Sequence, residues 1–124
     1  MNEHHCLLCM GSNTDRCAHL SEARKALSAA FPGINFGKPM ETKAIGSGFH
    51  SPFSNQLAWF TTTLTPDSVH TFFKELEHRS GRTSLDKATG VVKLDIDLLV
   101  YDHAILKPED MQREYIRKGL AELL

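Results

Sequence analysis

Lys93-Leu94-Asp95-Ile96-Asp97-Leu98-Leu99-Val100-Tyr101 alternates two sets of side chains. Leu94, Ile96, Leu98 and Val100 fall on one side, and Asp95, Asp97, Leu99 and Tyr101 on the other. This period of two predicts a β-strand. A strand rises about 3.3 Å per residue, so both carboxylates point the same way, about 7 Å apart. An apolar strand with two anions on one face must offset their desolvation with solvent, cationic partners or bound metal. Two acidic oxygen ligands at this spacing suit Mg²⁺, which takes a few carboxylates and fills its other positions with water and phosphate oxygens. A half-exposed edge strand with two solvated aspartates gives the same pattern, so the pair alone does not decide its role.

Upstream, a polar loop from Arg82 to Gly90 feeds this strand. Before it, Thr65-Pro66-Asp67 predicts a helix start: a capping hydroxyl, Pro at the first helical position, then an acid near the positive end of the dipole. Val69, Phe72, Phe73 and Leu76 form its apolar stripe, and Gly81 ends it. Glu77 and Arg82 lie at that end. Phe53 to Leu64 reads as a strand that carries Asn55, whose amide offers donors and an acceptor to a heterocycle edge or to a neighbouring strand. Gly46 to Pro52 is a loop rich in Gly, Ser and Pro, suited to a substrate loop. Ile34 to Ile45 reads as a strand broken at Gly37-Lys38-Pro39.

At the start of the chain, Cys6-Leu7-Leu8-Cys9-Met10 predicts a buried strand that stops at Gly11-Ser12-Asn13. Cys6 and Cys9 face opposite sides of such a strand and cannot readily share a metal, so they read as buried structural thiols. Ser12, Asn13 or Asp15 would cap the helix from Asp15 to Ala30, whose stripe is Leu20, Ala23, Leu27 and Ala30 or Phe31. Downstream of the aspartates, Lys107-Pro108-Glu109-Asp110 opens a short final helix with Met111, Tyr115, Leu120 and Leu123 or Leu124 on its apolar side.

A chain of 124 residues predicts a single domain, 1–124, with a real core. Its net charge of −1 argues against a nucleic-acid binder. No membrane span or signal peptide is expected, and three cysteines make no disulfide framework, so a cytoplasmic location is expected; a monomer is expected as well. The element order is β-α-β-β-α-β plus a terminal helix. That predicts an α+β, ferredoxin-like antiparallel sheet with helices on one face. Such folds host unrelated functions, and an interaction module without a small-molecule site would share this one.

The residues resemble the 6-hydroxymethyl-7,8-dihydropterin pyrophosphokinase family across about residues 5 to 102. The matching stretches are the opening strand into Gly11-Ser12-Asn13, then Glu41-Thr42 with Ile45-Gly46, Phe53-Ser54-Asn55, Glu77 with Gly81-Arg82, and Leu94-Asp95-Ile96-Asp97-Leu98-Leu99. The resemblance implies transfer of pyrophosphate from ATP to a pterin alcohol. It implies two Mg²⁺ held by Asp95 and Asp97, and pterin contacts from Thr42, Ile45, Phe53 and Asn55. Glu77 and Arg82 would lie toward the nucleotide, with Arg82 also acting on the phosphates; Lys93 is expected to reach the nucleotide from a position where the family has no such lysine.

The chain departs from the family at 88–93, where Ala88-Thr89-Gly90-Val91-Val92-Lys93 replaces a run with a tryptophan, a proline and two arginines. Each lost cation of this kind costs about 3 to 4 kcal/mol of transition-state stabilisation. Lys87, Lys93, Arg113 and Arg117 are candidate substitutes, and Tyr115 is a candidate second aromatic wall for the pterin. A relative that binds nucleotide or pterin and transfers slowly is the alternative implied by that departure.

Overall fold

The computed structural model describes residues 3–42 and 52–123, with the side chains of Ser84, Lys87, Glu122 and Leu123 excepted. Ile45, most of the 46–52 loop and the Lys87 side chain therefore lie outside the described residues. Six strands form one antiparallel sheet: β1 (His4–Ser12), β2 (Asn35–Phe36), β3 (Met40–Thr42), β4 (Phe53–Thr62), β5 (Asp95–Tyr101) and β6 (Ala104–Ile105). The order is β2-β4-β1-β5-β6, with β3 also on β4. The broken strand expected over 34–45 is thus β2 and β3, both paired to β4.

Helices α1 (Arg16–Ala30) and α2 (Pro66–Arg79) cover one face of the sheet. Leu20, Ala23 and Leu27 of α1 and Val69, Phe73 and Leu76 of α2 are buried there against Cys6, Leu8, Met10, Ala58, Phe60 and Ile96. The Phe31 and Phe60 rings lie 4.5 Å apart at its centre. Thr65 caps α2 as expected, its hydroxyl accepting from the Ser68 N–H, and Gly81 follows the helix at φ 91°. Cys9 lies on the other face with Leu7, Leu57 and Leu99. The two-faced reading of the cysteine pair therefore holds.

Several local expectations are corrected. β1 does not stop at Gly11 but runs through Ser12. The segment 82–90 is not wholly loop, since α3 (Ser84–Thr89) forms within it. The final helix is broken in two, α4 (Pro108–Met111) and α5 (Glu114–Leu123), and α5 packs Ile116 and Leu120 on the sheet face opposite α1 and α2. Strict alternation in β5 also fails after Leu98. Leu7 pairs with Val100 and Leu8 with Leu98, which leaves Leu99 as a bulge. The extra residue reverses the phase of the strand, so Val100 joins the α5 face while Tyr101 packs with the α1–α2 core.

At the end of the sheet away from the aspartates, Asp102 (φ 55°) fastens β1 to β5. Its carboxylate meets His4 Nδ1 at 2.7 Å and accepts from the His5 N–H at 2.9 Å, while its own N–H donates to the His5 carbonyl. The His4 hydrogen bond, then that from His5, holds this carboxyl below its ordinary 3.8. A lowered carboxylate stabilises the fold above its unfolded value and loses that contribution as pH falls through the folded one. Asp102→Asn keeps a residue tolerant of positive φ. Its unfolding temperature should lie below the parent's at neutral pH and converge with it in strong acid, as followed by circular dichroism melts.

Candidate active site

The sheet register builds one row of residues across three strands. Gly11 of β1 stands opposite Asn55 of β4 on one side and Asp95 of β5 on the other. Directly opposed residues point to the same face, so the Asn55 amide and the Asp95 carboxylate share a face with Gly11 between them. Strand spacing of about 4.8 Å places their backbones about 10 Å apart. In the next row Cys9 lies between Leu57 and Asp97. Thr42 and Phe53 are paired at the β3–β4 end of the same face.

Asn55 is buried, and its Nδ2 donates to Thr42 Oγ1 at 2.7 Å. Thr42 lines an open cleft of about 460 Å³ together with Met40, Glu41, Glu114, Tyr115 and Lys118. Tyr115 is thereby brought into one cleft with Thr42. α5 can lie this close because Gly119 has no side chain. A Cβ there would meet Met40 Cε at 2.7 Å and Leu57 Cδ1 at 2.8 Å.

The aspartates lie at the other side of the face. Burial, and then the charge of Asp95, push the Asp97 carboxyl up to about 7; a hydrogen bond with Asp95 adds to this, Lys107 opposes it and Asp110 reinforces it. Asp110 in turn accepts from Arg113 Nε at 3.3 Å. Asp97 is thus a hard-oxygen anion held where its own charge is disfavoured, which a divalent cation would relieve. Among the described residues no cluster of three or more His, Cys, Asp and Glu gathers as a full cage. That donor set fits Mg²⁺, which binds through one or two carboxylates and takes substrate phosphates and water for the rest.

Arg82 stands at the rim. Its Nη1 donates to Asp95 Oδ1 and to the Leu94 carbonyl, both at 3.1 Å, and lies 3.4 Å from Glu77 Oε1. Glu77 is a buried carboxylate on α2. Its Oε2 accepts from the Ile96 N–H at 2.9 Å and its Oε1 also meets Lys74 Nζ at 3.1 Å. Ile96 lies on the β5 edge that β6 does not reach, so Glu77 satisfies a donor the sheet leaves over. Lys93 donates from Nζ to the Gly81 carbonyl at 2.9 Å and lies 3.4 Å from Asp86, fastening the start of β5 to the end of α2.

A family model described as 7,8-dihydro-6-hydroxymethylpterin-pyrophosphokinase matches residues 7–124. The chain belongs to this family. No individual curated protein matches it. The family supports a folate-pathway pyrophosphokinase role in general, and its match runs through α4 and α5, well past residue 102. Among the described residues no helix is long and apolar enough to cross a membrane.

The expected residues separate into two groups. Thr42, Phe53, Asn55, Asp95 and Asp97 share the sheet face that α5 partly covers, with Arg82 at its edge. Glu77 and Lys93 lie beside the β5 start, engaged with backbone and with neighbouring charges.

Sequence reasoning missed Gly11, read as the end of the strand, although a glycine inside a strand marks a close approach. It also missed the role of Asn13, which it read with Ser12 and Asp15 as one of three candidate caps. Asp15 is the N-cap residue and makes no side-chain cap bond. Asn13 instead donates from Nδ2 to the Gly90 carbonyl at 2.8 Å, and its Oδ1 accepts from the Val92 N–H at 2.6 Å. β1 and β5 are neighbours, and Asn13 ties the approach to β5 onto the end of β1. Asn13→Ala leaves the buried Val92 N–H without its acceptor, a loss of about 2 kcal/mol. Urea unfolding should show it, with faster hydrogen exchange at Val92.

Proposed function

We propose that this chain transfers pyrophosphate from ATP to the hydroxymethyl oxygen of 6-hydroxymethyl-7,8-dihydropterin, with Asp95 and Asp97 holding two Mg²⁺. The observation that carries the reading is the row Asn55–Gly11–Asp95, which sets a heterocycle-reading amide and a metal-binding carboxylate on one face. The pterin oxygen bonds to the β-phosphorus and loses its proton, the bond from that phosphorus to the α–β bridging oxygen breaks, and AMP leaves. When bound, Mg²⁺ neutralises the phosphate oxygens and aligns them for in-line displacement. Asn55 and the Thr42–Ile45 segment hold the pterin's polar edge, and Phe53 and Tyr115 bracket its ring. Arg82, shared between Asp95 and Glu77, faces the phosphates. Lys107 adds a cation that acts on Asp97, and Arg113 one beside Asp110, where the 88–93 segment carries Lys93 alone. Glu77 and Lys93 serve the nucleotide by fixing Arg82 and the β5 start. The strand order supports a ferredoxin-like core to which β6, α4 and α5 are added.

The test is AMP release from Mg-ATP with and without the pterin. Pterin-dependent AMP supports the reading, and its absence at high protein concentration overturns it. A second reading, a slow or inactive relative that still binds both ligands, is favoured by the engagement of Lys93 with Gly81 and Asp86 in a segment that has no arginine. Ligand-induced rises in unfolding temperature without AMP would identify it. Tyr115→Ala should weaken pterin binding about tenfold, the scale of one lost aromatic stacking contact, and leave Mg-ATP binding unchanged. Both are measurable by calorimetric titration.

A further inference from the structure

Gly11 is buried on the sheet face that α5 partly covers, and its environment is tight. A Cβ built on it would meet Asn55 Oδ1 at 2.6 Å, while the Ser54 carbonyl oxygen would be 3.5 Å away. The Asn55 amide therefore lies directly over the β1 backbone, in space that any other residue would fill. Its other end is fixed, since Nδ2 donates to Thr42 Oγ1. One amide thus spans from β3 to β1, with its carbonyl oxygen aimed toward the strand that separates it from Asp95.

We infer that Gly11 is a positioning residue for the acceptor substrate. By lacking a side chain it fixes the Asn55 amide with Oδ1 over β1, as an acceptor for the N–H groups of an aminopyrimidinone edge. The inference rests on the reading that Asn55 holds the pterin. An alanine at position 11 meets the far end of a flexible side chain rather than backbone, so the sheet keeps its register and the amide turns away. The amide then loses the Thr42 hydrogen bond and its aim together. Such a change weakens an N–H-bearing heterocycle about tenfold, the value of one well-placed hydrogen bond. It leaves the aspartate side of the face alone.

A double-mutant cycle tests this. Parent, Gly11→Ala, Asn55→Ala and the double variant are titrated with 6-hydroxymethyl-7,8-dihydropterin in Mg²⁺ and a non-transferable ATP analogue, and separately with the analogue alone. Gly11→Ala is expected to weaken the pterin about tenfold and the analogue less than about twofold. In the Asn55→Ala background it should add nothing, because the atom that its Cβ meets is gone. The same tenfold loss in that background, or an unchanged pterin affinity in Gly11→Ala beside a weakened Asn55→Ala, overturns the inference while the reading of Asn55 stands. Undiminished pterin affinity in Asn55→Ala overturns the reading and the inference with it. Should Gly11→Ala alone fail to fold, the double variant is expected to fold and to bind as Asn55→Ala does. A double variant that stays unfolded overturns the inference.

Discussion

Replacing Asp97 with Asn is expected to lower pterin-dependent AMP formation about a hundred- to a thousandfold while making the metal-free protein more stable. The first effect follows from removing a charged oxygen at the point where phosphate charge must be met, on the scale of a lost preorganised electrostatic group. The second follows from the cost of that charge in the free protein. Asp97 is pushed up from 3.8 to about 7 by burial and then by Asp95. A carboxyl raised in the fold binds its proton more tightly there than in the unfolded chain. Stability is therefore full below pH 3.8, falls as pH rises toward 7, and stays reduced above it. Asparagine is neutral throughout, so parent and variant should match in acid and separate at pH 8. Asp97 is partly exposed, so the gain after solvent screening is about 1 to 2 kcal/mol, or about 5 °C in unfolding temperature. Mg²⁺ should raise the parent's unfolding temperature and leave the variant's nearly unmoved. A variant that stays active and whose unfolding temperature rises with Mg²⁺ as the parent's does would remove Asp97 from the site.

This opposition of stability and activity was visible in the sequence only as an Asp-x-Asp on an apolar strand. Period-two alternation placed both carboxylates on one face, because strand geometry alone fixes that. It also placed Asn55 correctly within β4. It did not indicate that Asn55 and Asp95 would share a row. That depends on register between strands far apart in the chain, β4 ending at Thr62 and β5 beginning at Asp95, and register is set by the whole core. The Leu99 bulge was hidden for the same reason. Leu98, Leu99 and Val100 are all apolar, so no polar residue marks the change of phase. Asn13 was misread because a side-chain amide just before a helix is commonly a cap, and only the nearness of Val92 gives it a stronger partner. α5 covers the site face through Ile116 and Leu120, and its amphipathic pattern showed that it must pack without showing against which face.

Glu77 was legible as a residue and not as a part of the structure, and it carries the largest expected loss of stability. Glu77→Ala should cost about 3 kcal/mol, the low end of the range for breaking a buried charged network. The reason for the low end lies in its partners. Lys74 is 53% exposed and can return to water, and Arg82 keeps Asp95 and the Leu94 carbonyl. Ile96 is 2% exposed, and its N–H faces the unpaired edge of β5, so it has no such recourse. The hydrogen bond to Ile96, rather than the charge, should therefore dominate. Glu77→Gln retains an acceptor for Ile96 and should cost only about 1 kcal/mol, the worth of one net interaction. Urea unfolding of both variants decides between the two accounts. A clearly smaller loss in Gln places the stabilisation in the β5 edge. Equal losses in Gln and Ala would place it in the pairing with Arg82 and Lys74. In either case Arg82, freed from Glu77, turns fully onto Asp95 and competes there with the cation. Both variants should then need more Mg²⁺ than the parent for half-maximal AMP release.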